Sequence, residues 1–513
     1  MRPLPLLLLA TLALGLLTMA GAWTDPLQTL PDHPFVEGHF VGALLGQEGL
    51  LWTDRLAPDG GPLRPLMWPL ACLAVLTGPT LAVNLVWTLV PPFNAACGYA
   101  FGRSLKASPS GAALTGALLA WAPMVRTTLG NGQVEQAALG GTALIWASCL
   151  WTRRWSLLVA PAVLLAVGLA APNIALAACI GLLVLLPWRF LRDRRHTALL
   201  AVLLALVLLP VQAYHGAAYD PGPRIFAPRT APPQDAVMDL SQAVGWQATR
   251  SENLSDATLR SLVEPVGPRG FEAPVVHSPY LGWSLLVLGV AGLAMSRQWV
   301  LAGASGILLL ACLGSQGGLM SVLGTVVPSV AESSSAYRLV AGLLCALAGL
   351  AAALESRLGR WTPLLGILGW AETALLPNHP LVLPTRPALD HPELEALKVD
   401  GTVLDLPLAD VPCTAEAMHY LAQVQQHDGR LLHGAGSLAL HPTLGAQAAD
   451  IHGAFPQADC PALLRTALEP LELEAVILHQ HEGCRIRLPG AAACLTEAFG
   501  EPQGEGTVLW WRL

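Results

Sequence analysis

The amino-acid sequence predicts a polytopic α-helical membrane protein of about 11 transmembrane helices, with a small extracytoplasmic α/β domain at its C-terminus. Three observations predict it. Of 513 residues, 53% are apolar and only 12% are charged, half the roughly 25% charge of soluble domains. Apolar runs of about span length succeed one another from residue 3 to residue 377. The net charge of −7 is also split: residues 1–377 hold 21 Lys+Arg against 18 Asp+Glu, and residues 378–513 hold 7 against 17. An acidic, less apolar segment behind a hydrophobic body reads as a separate soluble domain. Its acidity argues against a nucleic-acid partner, which requires a basic face.

The apolar runs fall at 3–23, 66–77, 80–102, 109–124, 134–151, 155–171, 173–188, 197–213, 277–296, 298–314, 337–355 and 360–377. The first, behind Arg2, reads as a retained signal-anchor helix because many spans follow. The second is short and reads as re-entrant. Pro91-Pro92 predicts a kink or break in the third. If 66–77 does not cross, alternate loops carry Arg103 with Lys106, Arg153 with Arg154, Arg189 with Arg192, Arg194 and Arg195, then Arg297, then Arg357 with Arg360. The short opposite loops are poor in positive charge, with Arg126 the main exception, which is the positive-inside pattern. It places the N-terminus in the cytoplasm, and loops 24–65 and 214–276 with residues 378–513 outside.

Within 378–513, Gly401–Leu406, Ala475–His479, Cys484–Leu488 and Thr507–Leu513 read as strands and Thr414–Gln426 as a helix. Cys413, Cys460, Cys484 and Cys494 all lie in this domain, and an even number fits two disulfides in an oxidising compartment. The pairing stays open among three possibilities. Cys72, Cys97, Cys149, Cys179, Cys312 and Cys345 lie in apolar runs and read as packing residues.

Ionisable groups are rare and costly in such a chain, so the stretch PDHPFVEGHFVGALL at 31–45 stands out. Pro34 suits a first helical turn, so Phe35–Leu45 reads as an amphipathic helix that places His33 and Glu37 on one face. Capping by Asp32 or His33 is the alternative structural role. Glu135, in GQVEQ, is an isolated carboxylate at the outer start of a span. Arg126 and Arg338 sit at outer helix ends against the positive-inside trend, where a guanidinium could hold phosphate or snorkel to headgroups. Trp68, Trp87, Trp121, Trp155, and His277 with Tyr280 and Trp283, read as interfacial anchors.

An N-in first span, the outer Asp32-His33 helix start, the outer loop MVRTTLGNGQVEQ, paired apolar hairpins, a late Ala-Tyr-Arg at an outer helix end and an outer C-terminal domain together resemble the GT-C superfamily of integral-membrane glycosyltransferases, in its uncharacterised bacterial branch. The resemblance covers residues 1–377 in topology and, more weakly, VLDLPL and the following helix. It implies a bacterial inner-membrane enzyme that uses a sugar on a polyprenyl phosphate or diphosphate and a glycan, lipid or protein acceptor. It also implies an acidic catalytic residue in the first outer loop, which Asp32 matches. The second acid of the superfamily's Asp-x-Asp is replaced by His33, with Glu37 the closest carboxylate. A site with Mg²⁺ or Mn²⁺ held by Asp32, Glu37 and His33 therefore stands beside a metal-free one.

Such a transfer needs a carboxylate to take the acceptor hydroxyl's proton and a cation where the departing phosphate gains charge. Asp32 is the expected base, with Glu135, Glu37 and His33 as further candidates, and Arg126 and Arg338 are the expected phosphate ligands. Two other classes compete. A lipid or solute transporter would show repeated halves and mid-span polar sites, which this chain lacks. A non-catalytic assembly or binding protein of the same fold would use its C-terminal domain.

Overall fold

Several helices open on proline, whose missing N–H costs nothing at a first turn. These include α3 (Pro79–Ser104), α4 (Pro109–Ala120), α5 (Pro123–Gly130) and α9 (Pro172–Phe190). The computed structural model describes residues 3–32, 36, 40, 43–44, 52–53, 61–62, 68–130, 132–151, 155–218, 249–250, 276–277, 281–296, 298–312, 319, 322, 339–375, 381–387, 397–399, 401–406, 430–431, 450–451, 453–455, 457–479, 488, 490–503 and 508–513. The remaining helices of the apolar body are α1 (Pro3–Thr18), α2 (Trp68–Thr77), α6 (Val134–Ala137), α7 (Gly140–Leu150), α8 (Ser156–Ala170), α10 (Arg194–Ala218), α11 (Trp283–Ser296), α12 (Trp299–Cys312), α13 (Val340–Ala351) and α14 (Thr362–Ala374). Among the described residues, four helices are long and apolar enough to cross a membrane: Pro79–Ser104, Pro172–Phe190, Arg194–Val211 and Val340–Leu358. Six shorter apolar helices accompany them. The chain is an integral membrane protein.

Helix α3 organises the bundle. A Cβ at Gly98 would fall 2.9 Å from Gly116 Cα, and one at Gly102 would fall 2.7 Å from Ala112 Cα. This small-xxx-small stripe lets α3 and α4 approach backbone to backbone. Of the kink or break expected at Pro91-Pro92, the break does not occur, since both prolines lie inside α3. They cost only the helical donors for the Trp87 and Thr88 carbonyls. Gly15 of α1 packs directly against the Thr88 carbonyl. Helix α13 is buried at every residue and is the apolar centre of the bundle.

Two tryptophans expected at the interface are instead core. Trp87 and Trp121 are buried, whereas Trp155 and Trp283 are exposed. Helical period accounts for this: Trp87 lies on the face of α3 that carries Asn84, Thr88 and Asn94, all buried. Cys72, expected to pack, is exposed.

Contacts define two ends of the bundle. Near the start of α3 lie residues 26–29, held by Asn84, and the Leu129 carbonyl, bonded by Trp87. Near its finish lie Arg103 and the start of α4, where Gly111 meets Ala352. Helix α7 runs in the same direction as α9, because Thr142 bonds Ile174, Trp146 bonds Ala178 and Arg189 bonds Trp151. The arginine-rich turns after α3 and α9 thus share the end opposite residues 26–32.

The C-terminal residues form a sheet of β3 (Thr402–Leu406), β4 (Arg430–Leu431), β5 (Leu473–His479) and β6 (Val508–Arg512), in the order β6-β5-β3-β4. Strand β3 is parallel to β4 and β5, and β6 is antiparallel to β5. Strand alternation sends Leu404, Leu406, Val476 and Leu478 toward α15 (Cys460–Leu468) and α16 (Ala491–Phe499). Val403, Ala475, Ile477, Val508 and Trp510 form a second cluster on the other face. Cys460 and Cys494 form a disulfide between the two helices; Cys413 and Cys484 lie outside the described residues.

Candidate functional site

The site is built from three segments that α3 gathers at one end. The first follows α1. Strand β1 (Thr29–Pro31) pairs antiparallel with β2 (Thr385–Pro387), and the Asp32 N–H donates to the Pro384 carbonyl at 2.8 Å. Leu383 N–H likewise bonds Thr18 O at 2.8 Å. The Asn84 amide donates to the Pro26 and Thr29 carbonyls at 3.1 and 2.8 Å. Asp32, half-buried, is therefore fixed by backbone bonds to the chain entering the C-terminal residues and to α3. Beyond it, Val36, Phe40 and Ala43 are helical and buried in the core of the bundle. Their i, i+4, i+7 spacing is one helix face. His33 and Glu37 lie outside the described residues.

The second segment is MVRTTLGNGQVEQ, which forms α5 and α6 with Gly132 between them at φ 70°, a conformation that favours glycine. The expected span at 134–151 is thus interrupted: Glu135 belongs to α6, and α7 begins at Gly140. Asn94, fully buried in α3, bridges the interruption. Its Nδ2 donates to Ala137 O at 2.9 Å and its Oδ1 accepts from Gly140 N–H at 2.7 Å. Glu135 is half-buried. Arg126 and Gln136 are 3% exposed and Gln133 is 8% exposed. Arg126 Nε and the side-chain carbonyls of Gln133 and Gln136 have no hydrogen-bond partner among the described residues. Buried polar groups are normally satisfied, so this run of donor and acceptors is suited to a polar guest.

The third segment closes around Arg126, whose Nη1 donates to the Thr373 carbonyl in the last turn of α14. Burial lowers the Arg126 pKa to about 10, which leaves it a cation at neutral pH. One residue before Thr373, the Glu372 carboxylate accepts from the Trp283 and Ser284 N–H groups, at 2.6 and 2.8 Å. It caps the start of α11, where the helix dipole favours an anion. Gly282, at φ 86°, makes the turn and would place a Cβ 3.5 Å from that carboxylate and 3.7 Å from Pro123. A Cβ at Gly130 would lie 3.8 Å from Leu383, so the second segment adjoins the chain next to Asp32.

Of the residues named from sequence, the structure places Asp32, Glu135 and Arg126 at this one end; Arg338 lies outside the described residues. No group of three or more His, Cys, Asp or Glu suited to a metal occurs among the described residues. Of Asp32, Glu37 and His33 only Asp32 is described. Sequence reasoning missed Glu372, although an acid inside an apolar run is the same signal that picked out Glu135. It also missed Asn84 and Asn94, polar residues ten apart on one face of α3.

Among solved structures, the chain is similar to the mycobacterial arabinofuranosyltransferase AftD, with 15% identity and a TM-score of 0.50, over 99% of this chain and 39% of that one. The fold is GT-C. Archaeal oligosaccharyltransferase AglB from Archaeoglobus fulgidus also matches, at 10% identity and a TM-score of 0.46, over 93% of this chain and 69% of that one. No protein-family model and no curated protein matches the chain. This chain spans 39% of the length of AftD, and the likeness speaks to the fold.

Proposed function

We propose that the protein is an inner-membrane glycosyltransferase that moves a sugar from a polyprenyl phosphate or diphosphate to an extracytoplasmic glycan, lipid or protein acceptor. The observation that carries the reading is the assembly at one bundle end of Asp32, Glu135 and the buried, partly unsatisfied Arg126–Gln136 segment. The opposite end carries Arg103, Arg189, Arg192, Arg194 and Arg195. By the positive-inside rule that end is cytoplasmic, which puts the site and the C-terminal residues outside.

In the proposed step Asp32 accepts the acceptor hydroxyl's proton as its oxygen bonds the anomeric carbon. The bond from that carbon to the donor's phosphate oxygen breaks, and its electron pair leaves with the lipid phosphate. Arg126 offsets the charge that develops there. Glu135 is the alternative base and otherwise orients the acceptor. His33, Glu37 and Arg338 are proposed to complete the site, a divalent metal among the first two and Asp32 included.

One observation favours a second reading, a non-catalytic binding protein of the same fold: part of the Arg126 guanidinium serves α14 through Thr373. Incubating purified protein with a polyprenyl-phosphate sugar and an envelope acceptor separates the two. Enzyme action predicts a glycosylated acceptor, lowered at least about 10²-fold by Asp32→Asn. Donor binding without product in every preparation supports the second.

A further inference from the structure

The arginine-rich end of the bundle holds a group that the transfer reaction does not use. Arg189, in the last turn of α9, is 5% exposed. Its Nη2 donates to Trp151 O at 2.8 Å. Its Nε and Nη1, and the Oγ1 of Thr197 at 2% exposure, have no hydrogen-bond partner among the described residues. No described carboxylate lies within salt-bridge distance of Arg189. Asp193, the acid of this turn, accepts instead from the His196 backbone N–H at 3.3 Å. The His196 ring and Ser156 hydroxyl meet at 3.0 Å across the start of α8. Arg192 lies over the Trp188 ring at 4.1 Å, and Arg194 and Arg195 are exposed at the start of α10.

A guanidinium at that depth is costly unless it is paired, and Asp193 acts on it only through space, with no hydrogen bond or ion pair to it among the described residues. Just beside it the surface turns apolar: Leu158, Leu191 and Leu199 are 76%, 78% and 49% exposed. A cationic corner bordered by exposed leucine matches a ligand that is anionic at its head and hydrocarbon below. We propose that the corner between α7, α8, α9 and α10 binds the phosphate headgroup of an anionic phospholipid, with Arg189 as the anchor. Phosphate accepts a guanidinium bidentately. Basic pockets between membrane helices on the cytoplasmic side are suited to such headgroups. Arg192, Arg194 and Arg195 add attraction from the rim.

Native mass spectrometry of the full chain in detergent, with phosphatidylglycerol or phosphatidylcholine added at equal concentration, tests this. Wild type is expected to retain phosphatidylglycerol preferentially. Arg189→Lys keeps the charge but loses the planar fork that spans two phosphate oxygens, and should reduce that retention severalfold. Should Arg189→Lys fail to fold, the exposed pair Arg194→Gln with Arg195→Gln should still lower retention severalfold at unchanged folding. Equal retention of the two lipids by wild type, or undiminished phosphatidylglycerol retention in these variants, would overturn the proposal. So would displacement of the lipid by millimolar inorganic phosphate, which would assign the corner to a free anion.

Discussion

Arg126 is divided between fold and function. Nη1 ties α5 to the last turn of α14, while Nε has no partner among the described residues. Arg126→Lys is expected to lower kcat/KM for the lipid donor about tenfold, with kcat itself falling, because an ammonium cannot span two phosphate oxygens as they gain charge. Arg126→Gln should also lower stability by about 1–3 kcal/mol through the carbonyl left unpaired. An unchanged kcat/KM in the lysine variant would remove Arg126 from the reaction. The lowered pKa of about 10 fixes the pH dependence. A base with a depressed folded-state pKa opposes folding while charged, and that cost is relieved as pH rises past it. Donor binding through Arg126 should therefore stay level across neutral pH and weaken only near pH 10, without this group unfolding the protein. Asp32 and Arg126 were legible because charge in an apolar chain is conspicuous. Asn94 was not, since what it does depends on a break between α6 and α7 that apolar content hides.

At the scale of elements, helix ends are set by single polar groups. Glu372 accepts from the Trp283 and Ser284 N–H groups at the start of α11; Glu372→Gln should cost about 1–2 kcal/mol, read as a lower unfolding temperature in detergent. An unchanged temperature would deny the cap any weight. Close packing supplies a second test. A Cβ at Gly181 of α9 would collide with the Trp146 indole, so Gly181→Ala should destabilise by about 1–3 kcal/mol and disturb the Trp146 bond to Ala178. Most helices follow the apolar runs within a few residues, because the 3.6-residue turn and the bilayer both act on composition. The exceptions have local causes. Pro91-Pro92 is accommodated inside α3, and the runs at 109–124 and 134–151 each divide where Pro123 and the bridge from Asn94 intervene. Helices α15 and α16 escaped reading because nine amphipathic residues give too short a period to stand out.

For the whole molecule, the pairing of β1 with β2 ties the segment after α1 to the chain that leads into the C-terminal residues. The disulfide of Cys460 and Cys494, separated by 34 residues, secures the two helices beneath the sheet. Its removal by Cys460→Ser with Cys494→Ser is expected to cost about 2–4 kcal/mol. A non-reducing peptide map should link those two cysteines; a map joining either to another cysteine would contradict the structure. Charge and hydropathy made the membrane body readable, since they are properties of long stretches, whereas the resemblance to the GT-C superfamily rested on topology together with short motifs such as Asp32-His33. The donor and acceptor are properties of a few side chains, and no stretch announces them. The deciding measurement is sugar transfer by the purified full chain from a polyprenyl-phosphate sugar, followed by mass of the acceptor, for wild type beside Asp32→Asn and Glu135→Gln. Transfer by wild type that collapses with Asp32→Asn is the expected result, whereas undiminished transfer by both variants would contradict a reaction centred on this end of the bundle.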